Sequence, residues 1–181
     1  MFGWHAALFP TGYSGPYLIE VGRYRTGEMQ IVSGAMGKEK LHYEAVKAKF
    51  VKTEMDKFLD WFNKESSLDP VLKAAIAHFW FIIIHPFDDG NGRIGRALTD
   101  MLLANAEGSG ERFYSMSSQI LADRKRYYEV LQKVQHSSSD ITEWIDWFLH
   151  CLKNAIQATE KTTQKILHKV EFWKLHEHNS I

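Results

Sequence analysis

The sequence has little of what marks a secreted, membrane-bound or nucleic-acid-binding protein. Its one cysteine, Cys151, excludes an internal disulfide framework and fits a reducing compartment. The 22 basic and 22 acidic residues cancel and no basic stripe is visible, so bulk electrostatics predict neither nucleic-acid nor membrane binding. The first residues contain no basic segment followed by an apolar stretch, which predicts no secretion signal and a cytoplasmic location. The partners must therefore be inferred from a site.

Apolar residues are abundant and recur mostly with a helical period. A chain of 181 residues that is 45% hydrophobic, with six Trp and eleven Phe, suits a single domain with a sizeable core. The pattern predicts a mainly α fold over residues 1–181. Helices are expected over residues 2–9, 43–62, 71–106 (two helices joined by a loop), 123–135 and 140–175.

Two short runs with a period of two predict a small β element. Residues 17–21 and 29–32 alternate in polarity, and Thr26-Gly27 between them is suited to a turn, so a β-hairpin is expected within residues 17–34. An isolated hairpin is marginally stable, so it should lean on the helical body or on a ligand. A purely structural hairpin remains the alternative to a substrate-binding one.

The densest chemistry lies in residues 85–96, with the sequence HPFDDGNGRIGR. This stretch joins two predicted helices, and its glycines lie at the start of the second. A helix start presents unpaired backbone N–H groups, and glycines let a phosphate approach them closely, so residues 90–92 are expected to cradle an anion. Arg93 and Arg96 lie on one helical face and add two guanidinium groups suited to phosphate.

Two carboxylates and a histidine complete this stretch. Asp88 and Asp89 would repel a phosphate unless a divalent cation lay between, and Mg²⁺ is the natural candidate because it binds through carboxylates and substrate phosphates together. His85 is the one group here that readily exchanges a proton near neutral pH. The residues therefore indicate a base, a metal ligand and a phosphate clamp. The alternative is a loop in which these residues only cap the helices and pair with each other.

The stretch resembles the signature of the Fic family, H-x-F-x-[DE]-G-N-G-R-x-x-R, at every fixed position. The resemblance implies a Fic-type helical bundle with a small β-hairpin flap next to the active-site loop. It also implies an enzyme that transfers AMP from ATP·Mg²⁺ to a Ser, Thr or Tyr hydroxyl of a target protein. The chain is identified on this basis as the catalytic core of a longer bacterial Fic protein.

The resemblance assigns a role to each position of the motif. His85 corresponds to the base that deprotonates the target hydroxyl, and Phe87 to the buried anchor of the loop. Asp89, not Asp88, falls on the metal position. The phosphate ligands that it implies are Gly90, Asn91 and Gly92 for the α-phosphate, and Arg93 and Arg96 for the β- and γ-phosphates.

Two further sets of residues are implied outside the motif. Val32, Ser33 and Gly34 fall on the inner edge of the flap, where the target would dock by strand addition. Tyr127, Tyr128 and Gln135 are the candidates for the nucleoside pocket, because Fic relatives carry a similar paired tyrosine followed by an amide residue, for which Asn is the alternative to Gln. An aromatic face of plain core is the alternative for these three residues.

The remaining histidines and the last helix are interpreted from the residues alone. His78 is expected to be satisfied in the core or behind the site, and His168, His176 and His178 to belong to a solvated tail. The last helix has a seam with a period near 3.5, formed by Ile141, Ile145, Phe148, Leu152, Ile156, Thr159, Thr163, Ile166, Val170 and Trp173. Its later part is expected to extend beyond the core and to need a partner, for which a homodimer is considered.

The inhibitory helix of many Fic proteins, [ST]-x-x-x-E-[GN], is missing from these residues. Ser139 to Glu143 has the first spacing, but Trp144 follows it. Either the protein is not restrained in this way, or it is a truncation of a longer parent that carries the restraining helix before Met1. Truncation is the expectation, and the chain should then be more active than that parent. Other nucleotidyl transfer, phosphoryl transfer or removal of AMP are alternatives on the same scaffold. A catalytically silent binding module is a further alternative, although it would be expected to lose His85 or Asn91.

Overall fold

The computed structural model describes residues 1–33, 40–110, 112–135 and 140–176. Within these ranges the chain forms seven helices and two antiparallel strand pairs, which confirms the mainly α fold. The elements are α1 (Phe2–Leu8), β1 (Tyr13–Ser14), β2 (Tyr17–Leu18), β3 (Gln30–Ser33), β4 (Lys40–Glu44), α2 (Ala48–Asn63), α3 (Pro70–Ile84), α4 (Asn91–Glu107), α5 (Met116–Ala122), α6 (Arg124–Gln135) and α7 (Thr142–His176).

Helix α3 is the centre of the bundle and packs against α2, α4 and α7. Its start follows the sequence signal, because Asp69 accepts hydrogen bonds from the N–H groups of Val71 (2.8 Å) and Leu72 (3.2 Å) and Pro70 occupies the first turn. The buried side chains come from most of its circumference: Ala74, Ala75, Ala77, His78, Phe81, Ile82 and Ile84. His85 follows directly after this central helix, as its C-cap, and so lies at the edge of the core.

The first half of α7 closes the bundle over α3. Trp144 is fully buried and its Nε1 donates to the carbonyl of Ala75 at 2.8 Å, while Trp147 Nε1 donates to Asp123 Oδ2 at 2.9 Å. Burying a large apolar side chain contributes about 1.5–3 kcal/mol relative to leaving it exposed. The core therefore depends on aromatic residues whose polar atoms also find partners. No helix in the described ranges is long and apolar enough to cross a membrane.

The strand pairing differs from the expected hairpin. A small hairpin is present, but β3 pairs with β4, with Gln30 opposite Glu44 and Ile31 opposite Tyr43. Residues 17–18 pair instead with residues 13–14 around a tight turn in which Gly15 has φ 55°. The pairing predicted between residues 17–21 and 29–32 is wrong because the intervening segment packs onto the loop after α3 rather than forming a turn.

The predicted start of the second helix is also wrong. Tyr43 lies on β4, and α2 begins only at Ala48, whose N–H donates to both carboxylate oxygens of Glu28 (3.2 and 3.3 Å). Before it, the Val46 N–H donates to the carbonyl of Ile83, so tertiary hydrogen bonds hold this segment extended. The short helix α5, capped by Ser115 Oγ, was not predicted.

Arg25 fastens the segment before β3 to the loop after α3. The residue is 3% exposed, and its guanidinium donates to the carbonyls of His85 (2.7 Å), Gly27 (2.6 Å), Ile84 (3.3 Å) and Val46. Hydrogen bonds to a charged group are each worth about 1.5–3 kcal/mol, and an unsatisfied buried carbonyl is costly. One side chain therefore satisfies carbonyls that converge from three separate segments.

We expect Arg25→Ala to lower the free energy of unfolding by at least about 3 kcal/mol, because it removes several charge-assisted hydrogen bonds and leaves buried carbonyls unpaired. Urea denaturation followed by circular dichroism measures the loss. Arg23→Ala, at an exposed arginine two positions away, is the matched control and should change stability by less than about 0.5 kcal/mol. Equal effects of the two substitutions would contradict a structural role specific to Arg25.

Candidate active site

The loop between α3 and α4 has an unusual backbone at both ends. His85 has φ 50°, and it is the one non-glycine residue with positive φ in the described part of the chain. Gly90 has φ 85°, and a Cβ there would lie 2.9 Å from Phe9 Cε2. Positive φ is costly for most residues with a side chain, so the surrounding structure must hold His85 in place.

Phe87 and Asn91 hold the middle of the loop. Phe87 is fully buried and stacks on His5, with ring centroids 4.2 Å apart and an angle of 11° between the planes. Asn91 is 1% exposed; its Oδ1 accepts from the Phe87 N–H (2.9 Å) and its Nδ2 donates to the Phe87 carbonyl (2.7 Å). Phe87 therefore lies where a buried anchor was expected, and the Asn91 side chain holds the loop through both its oxygen and its nitrogen.

The start of α4 presents unpaired backbone donors. Gly90 is its N-cap, and the first hydrogen bond of the helix runs from the Ile94 N–H to the Gly90 carbonyl at 2.9 Å. The N–H groups of Asn91, Gly92 and Arg93 thus have no acceptor within the helix. Together with the positive end of the helix dipole, these donors make the start of α4 suited to an anion.

His85 is held in one tautomer. Its Nδ1 lies 3.1 Å from the carbonyl of Ile82 and 3.0 Å from the hydroxyl of Tyr43. A carbonyl only accepts hydrogen bonds, so Nδ1 carries the proton and Nε2 keeps its lone pair. Tyr43, 2% exposed, also donates to the Ile82 carbonyl at 3.1 Å, and burial raises its pKa well above the ordinary value.

Burial sets the protonation state of His85. It lowers the pKa of His85 to about 4; the hydrogen bond to Ile82 opposes this and the charge of Arg25 adds to it. The imidazole is therefore neutral at physiological pH, with Nε2 as an available proton acceptor. This is the state that a general base requires before the reaction begins.

Asp89 is placed at the start of α4 by several hydrogen bonds. Its Oδ1 accepts from the Gly90 N–H at 2.6 Å, and its Oδ2 accepts from Ser14 Oγ at 2.5 Å and from Arg93 Nη2 at 3.1 Å. Burial alone would raise the pKa of Asp89, but these hydrogen bonds and the charge of Arg93 outweigh it and hold the pKa below its ordinary value. The side chain remains 45% exposed as a carboxylate.

Asp88 has a different position from Asp89. Its Oδ2 accepts from the backbone N–H of Glu20 at 3.2 Å, which links the loop to the segment after β2. The sequence distinguished the two only through the family motif. The structure adds a geometric difference, since Asp89 alone is adjacent to the N–H groups of α4.

The two motif arginines diverge from the start of α4. Arg93 is exposed, pairs with Asp89 and lies over the ring of Phe9, 4.5 Å from its centroid. Arg96, one turn later, lines a cavity of about 390 Å³ together with Tyr127 and Tyr128. The motif and the paired tyrosines, far apart in sequence, thus meet at one cavity.

The three candidates for the nucleoside pocket do not all lie together. Tyr127 is 7% exposed and its hydroxyl lies 3.2 Å from His78 Nε2, while His78 Nδ1 lies 2.8 Å from Thr99 Oγ1. The prediction that His78 is satisfied in the core is confirmed. Gln135 does not line the cavity of Tyr127 and Tyr128; it lies at the end of α6, where its Nε2 donates to the carbonyl of Glu44.

Two of the three flap candidates, Val32 and Ser33, lie at the end of β3. Val32 is paired with Leu41 and Ser33 with Lys40, whereas Gly34 lies outside the described residues. The hairpin is adjacent to the site because Tyr43 on β4 contacts His85.

Four residues of the site were missed from the sequence: His5, Ser14, Arg25 and Tyr43. An alternation of Leu41, Tyr43 and Ala45 with polar residues was available as a strand signal for Tyr43. His5 Nδ1 accepts from the Gly22 N–H (2.9 Å) and its Nε2 lies 3.1 Å from the Asp89 carbonyl, contacts that no local pattern announces.

The fold and the site together define a class of protein. Its features are a helical bundle and a neutral histidine beside a helix start that is suited to an anion. The sequence profile of the Fic/DOC family matches residues 1–103, which is more than half of the chain. The chain belongs to the Fic/DOC family.

Relatives and solved structures agree with this assignment. The protein adenylyltransferase fic-1 of Caenorhabditis elegans is 30% identical over 138 residues, 70% of this chain and 25% of that protein. The protein adenylyltransferase Fic of Drosophila willistoni is 36% identical over 118 residues, 62% of this chain and 22% of that protein. The chain therefore spans about a quarter of the length of these curated relatives.

A crystal structure of a Fic family protein from Desulfovibrio desulfuricans G20 superposes with a TM-score of 0.71 at 28% identity, covering 90% of this chain and 46% of that one. Residues 134–508 of C. elegans Fic-1 give a TM-score of 0.64 at 23% identity, covering 91% of this chain and 43% of that one. The second likeness shows the fold alone.

The lowered pKa of His85 has a measurable consequence. We expect His85 to titrate near pH 4 rather than 6.5, with Nδ1 protonated in the neutral form. The unfolded chain takes up this proton near pH 6.5 and the folded chain only near 4, so the His85 contribution to the free energy of unfolding falls as pH is lowered between these values. Long-range ¹⁵N–¹H NMR spectra, assigned by comparison with His85→Ala, report both the tautomer and the midpoint. A midpoint near 6.5 would contradict the proposed environment.

Proposed function

We propose that the chain is a protein adenylyltransferase that transfers AMP from ATP to a hydroxyl of a target protein. The observation that carries the proposal is a neutral His85, with Nε2 available, on the loop that leads into the anion-binding start of α4. The two relatives reported above are curated as protein adenylyltransferases, which supports the same activity. Retention of both His85 and Asn91 argues against a silent binding module.

His85 and the start of α4 supply the groups that AMP transfer requires. The target hydroxyl oxygen attacks the α-phosphorus of ATP, the bond from that phosphorus to the bridging oxygen breaks, and pyrophosphate leaves. The hydroxyl proton passes to His85 Nε2. The N–H groups of Asn91, Gly92 and Arg93 are positioned to stabilise negative charge on the α-phosphate, which is an oxyanion-hole role.

A bound nucleotide phosphate is also expected to make His85 a better general base. A pKa of about 4 makes a poor proton acceptor at neutral pH. Negative charge bound at the start of α4 favours protonated imidazole and raises the pKa of His85. Nucleotide binding is therefore expected to bring His85 closer to the pKa at which proton transfer is efficient.

Asp89 fits a role as the Mg²⁺ ligand. It is ionised, accessible and adjacent to the phosphate donors of α4. Within the described ranges no group of three or more His, Cys, Asp or Glu side chains could hold a metal ion by itself. Mg²⁺ commonly needs only one or two carboxylates, because phosphates supply the other oxygens. The ion would neutralise charge on the leaving pyrophosphate. Ser14 and Arg93 would keep the carboxylate oriented.

The cavity lined by Arg96, Tyr127 and Tyr128 is the proposed place for the rest of the nucleotide. Arg96 would bind the γ-phosphate and Arg93 the β-phosphate through forked hydrogen bonds. Tyrosine rings can stack on adenine. Gln135 would have to act from a neighbouring position, through its Oε1, which has no hydrogen-bond partner in the structure described.

The target is proposed to dock on the hairpin. β3 pairs with β4 in a two-stranded sheet, so within the described residues its outer edge carries no further strand. Strand addition by the target at Val32, Ser33 and Gly34 would use the backbone donors and acceptors of this edge. A cytoplasmic location is proposed with it, supported by the single, buried Cys151.

Labelled ATP distinguishes the candidate reactions. We expect the α-label, not the γ-label, to become attached to protein in the presence of Mg²⁺, and His85→Ala to lower the rate by about 10²–10⁴-fold, the usual contribution of a general base. His150→Ala, at an exposed histidine on α7, is the matched control and should leave the rate unchanged. Attachment of the γ-label would instead indicate phosphoryl transfer.

The two neighbouring carboxylates give a second test. Asp89→Asn should weaken ATP binding by at least about tenfold in Mg²⁺ and have little effect in EDTA, because the amide binds the ion poorly. Asp88→Asn is the matched control and should change affinity much less. Isothermal titration calorimetry in a His85→Ala background measures both without turnover. Equal effects of the two substitutions would overturn the assignment of Mg²⁺ to Asp89.

A further inference from the structure

The second half of α7 leaves the body of the protein. Its buried residues end at Ala155, and the helix continues to His176. Several large apolar side chains on this extension are 44–78% exposed, namely Ile166, Leu167, Val170, Phe172, Trp173 and Leu175. Exposed apolar surface of this extent marks an interaction site.

Some of these side chains belong to a seam, a row of residues along one face of the α7 extension. Thr159, Thr163, Ile166, Val170 and Trp173 follow one another at spacings of four, three, four and three residues. This 3.5-residue period keeps one stripe of a helix facing a second helix in a left-handed coiled coil. The seam therefore suits a helical partner better than an extended one.

The seam ends at a cavity next to the core. A space of about 860 Å³ lies between α7 and the segment before α5, with Phe113, Ile156, Glu160 and Thr163 in its lining. Phe113 is 79% exposed, and its carbonyl accepts from Thr159 Oγ1 at 2.8 Å, which fixes this wall of the cavity against the helix. The cavity has room for a bulky side chain from the far end of a partner helix.

We propose that the occupant is the α7 extension of a second copy of this chain, packed antiparallel about a two-fold axis near residue 168. In this register Ile166 meets Val170 of the second copy and Thr163 meets Trp173 of the second copy. That exposed indole then enters the cavity beside Thr163, and symmetry repeats the contact at the other end. The seam of one copy thus supplies the side chain that enters the cavity of the other copy.

Charge selects this direction and register. Glu160 and Lys174 each follow a seam residue, so the antiparallel pairing places Glu160 of one copy beside Lys174 of the other, twice per dimer. Lys169 faces its symmetry mate once. Parallel pairing would instead put Lys169 beside Lys174 twice, and a shift by one heptad would remove the Glu160–Lys174 pairs.

The oligomeric state of the intact chain tests the proposal. Sedimentation equilibrium over a concentration series should show a dimer, and Val170→Glu should raise its dissociation constant by at least about tenfold because each dimer then buries two carboxylates. Val170 is 44% exposed in the single chain, so folding should be unaffected. Leu175→Glu, at a 78% exposed position off the seam, is the matched control and should leave the dimer intact.

Charge reversal tests the direction. Glu160→Lys and Lys174→Glu should each weaken the dimer, and the two substitutions combined should restore it. A monomer at every concentration, as expected if another protein or domain covers the seam, would overturn the proposal. So would a species larger than a dimer, or single and double charge variants with the same affinity.

Discussion

The site depends on one constraint. The backbone turn after α3 must keep His85 at positive φ, and the carbonyls of this turn, which point into the protein, must find hydrogen-bond donors. Arg25 meets this constraint by donating to the carbonyls of Ile84 and His85 from one side. The amide of Asn91 closes the loop from the other side through both backbone groups of Phe87. Because these donors and acceptors are buried, any one left unpaired would cost more than a typical surface hydrogen bond.

The same burial that makes the turn stable defines its chemistry. Removing His85 from water lowers its pKa, and the Ile82 carbonyl then decides which nitrogen carries the remaining proton. A few residues further on, the loop runs into the start of α4, where three backbone N–H groups have no acceptor within the helix. The His85 imidazole and the unpaired N–H groups of α4 are therefore held by one continuous piece of backbone.

The segment before the hairpin supports this loop from outside. His5 links Asp89 to Gly22, and Ser14 donates to the carboxylate of Asp89. His5, Ser14 and Gly22 lie outside the motif, and a change at any of the three should alter the site through Asp89. Their role is to position the groups that the motif supplies.

The sequence by itself determined the motif, the helices that flank it and the class of the fold. The apolar period of α3, the Asp69-Pro70 start and the glycines before α4 are local signals, and local hydrogen bonding and helix geometry enforce them. Only the tertiary structure decided which strands pair, because residues 29–33 fit either of two neighbours and the buried contacts of Arg25 and Tyr43 select one. It also separated Gln135 from Tyr127 and Tyr128, and brought His5, Ser14 and Tyr43 to the loop. Such contacts join residues that are 42 to 84 positions apart, and no local periodicity encodes them.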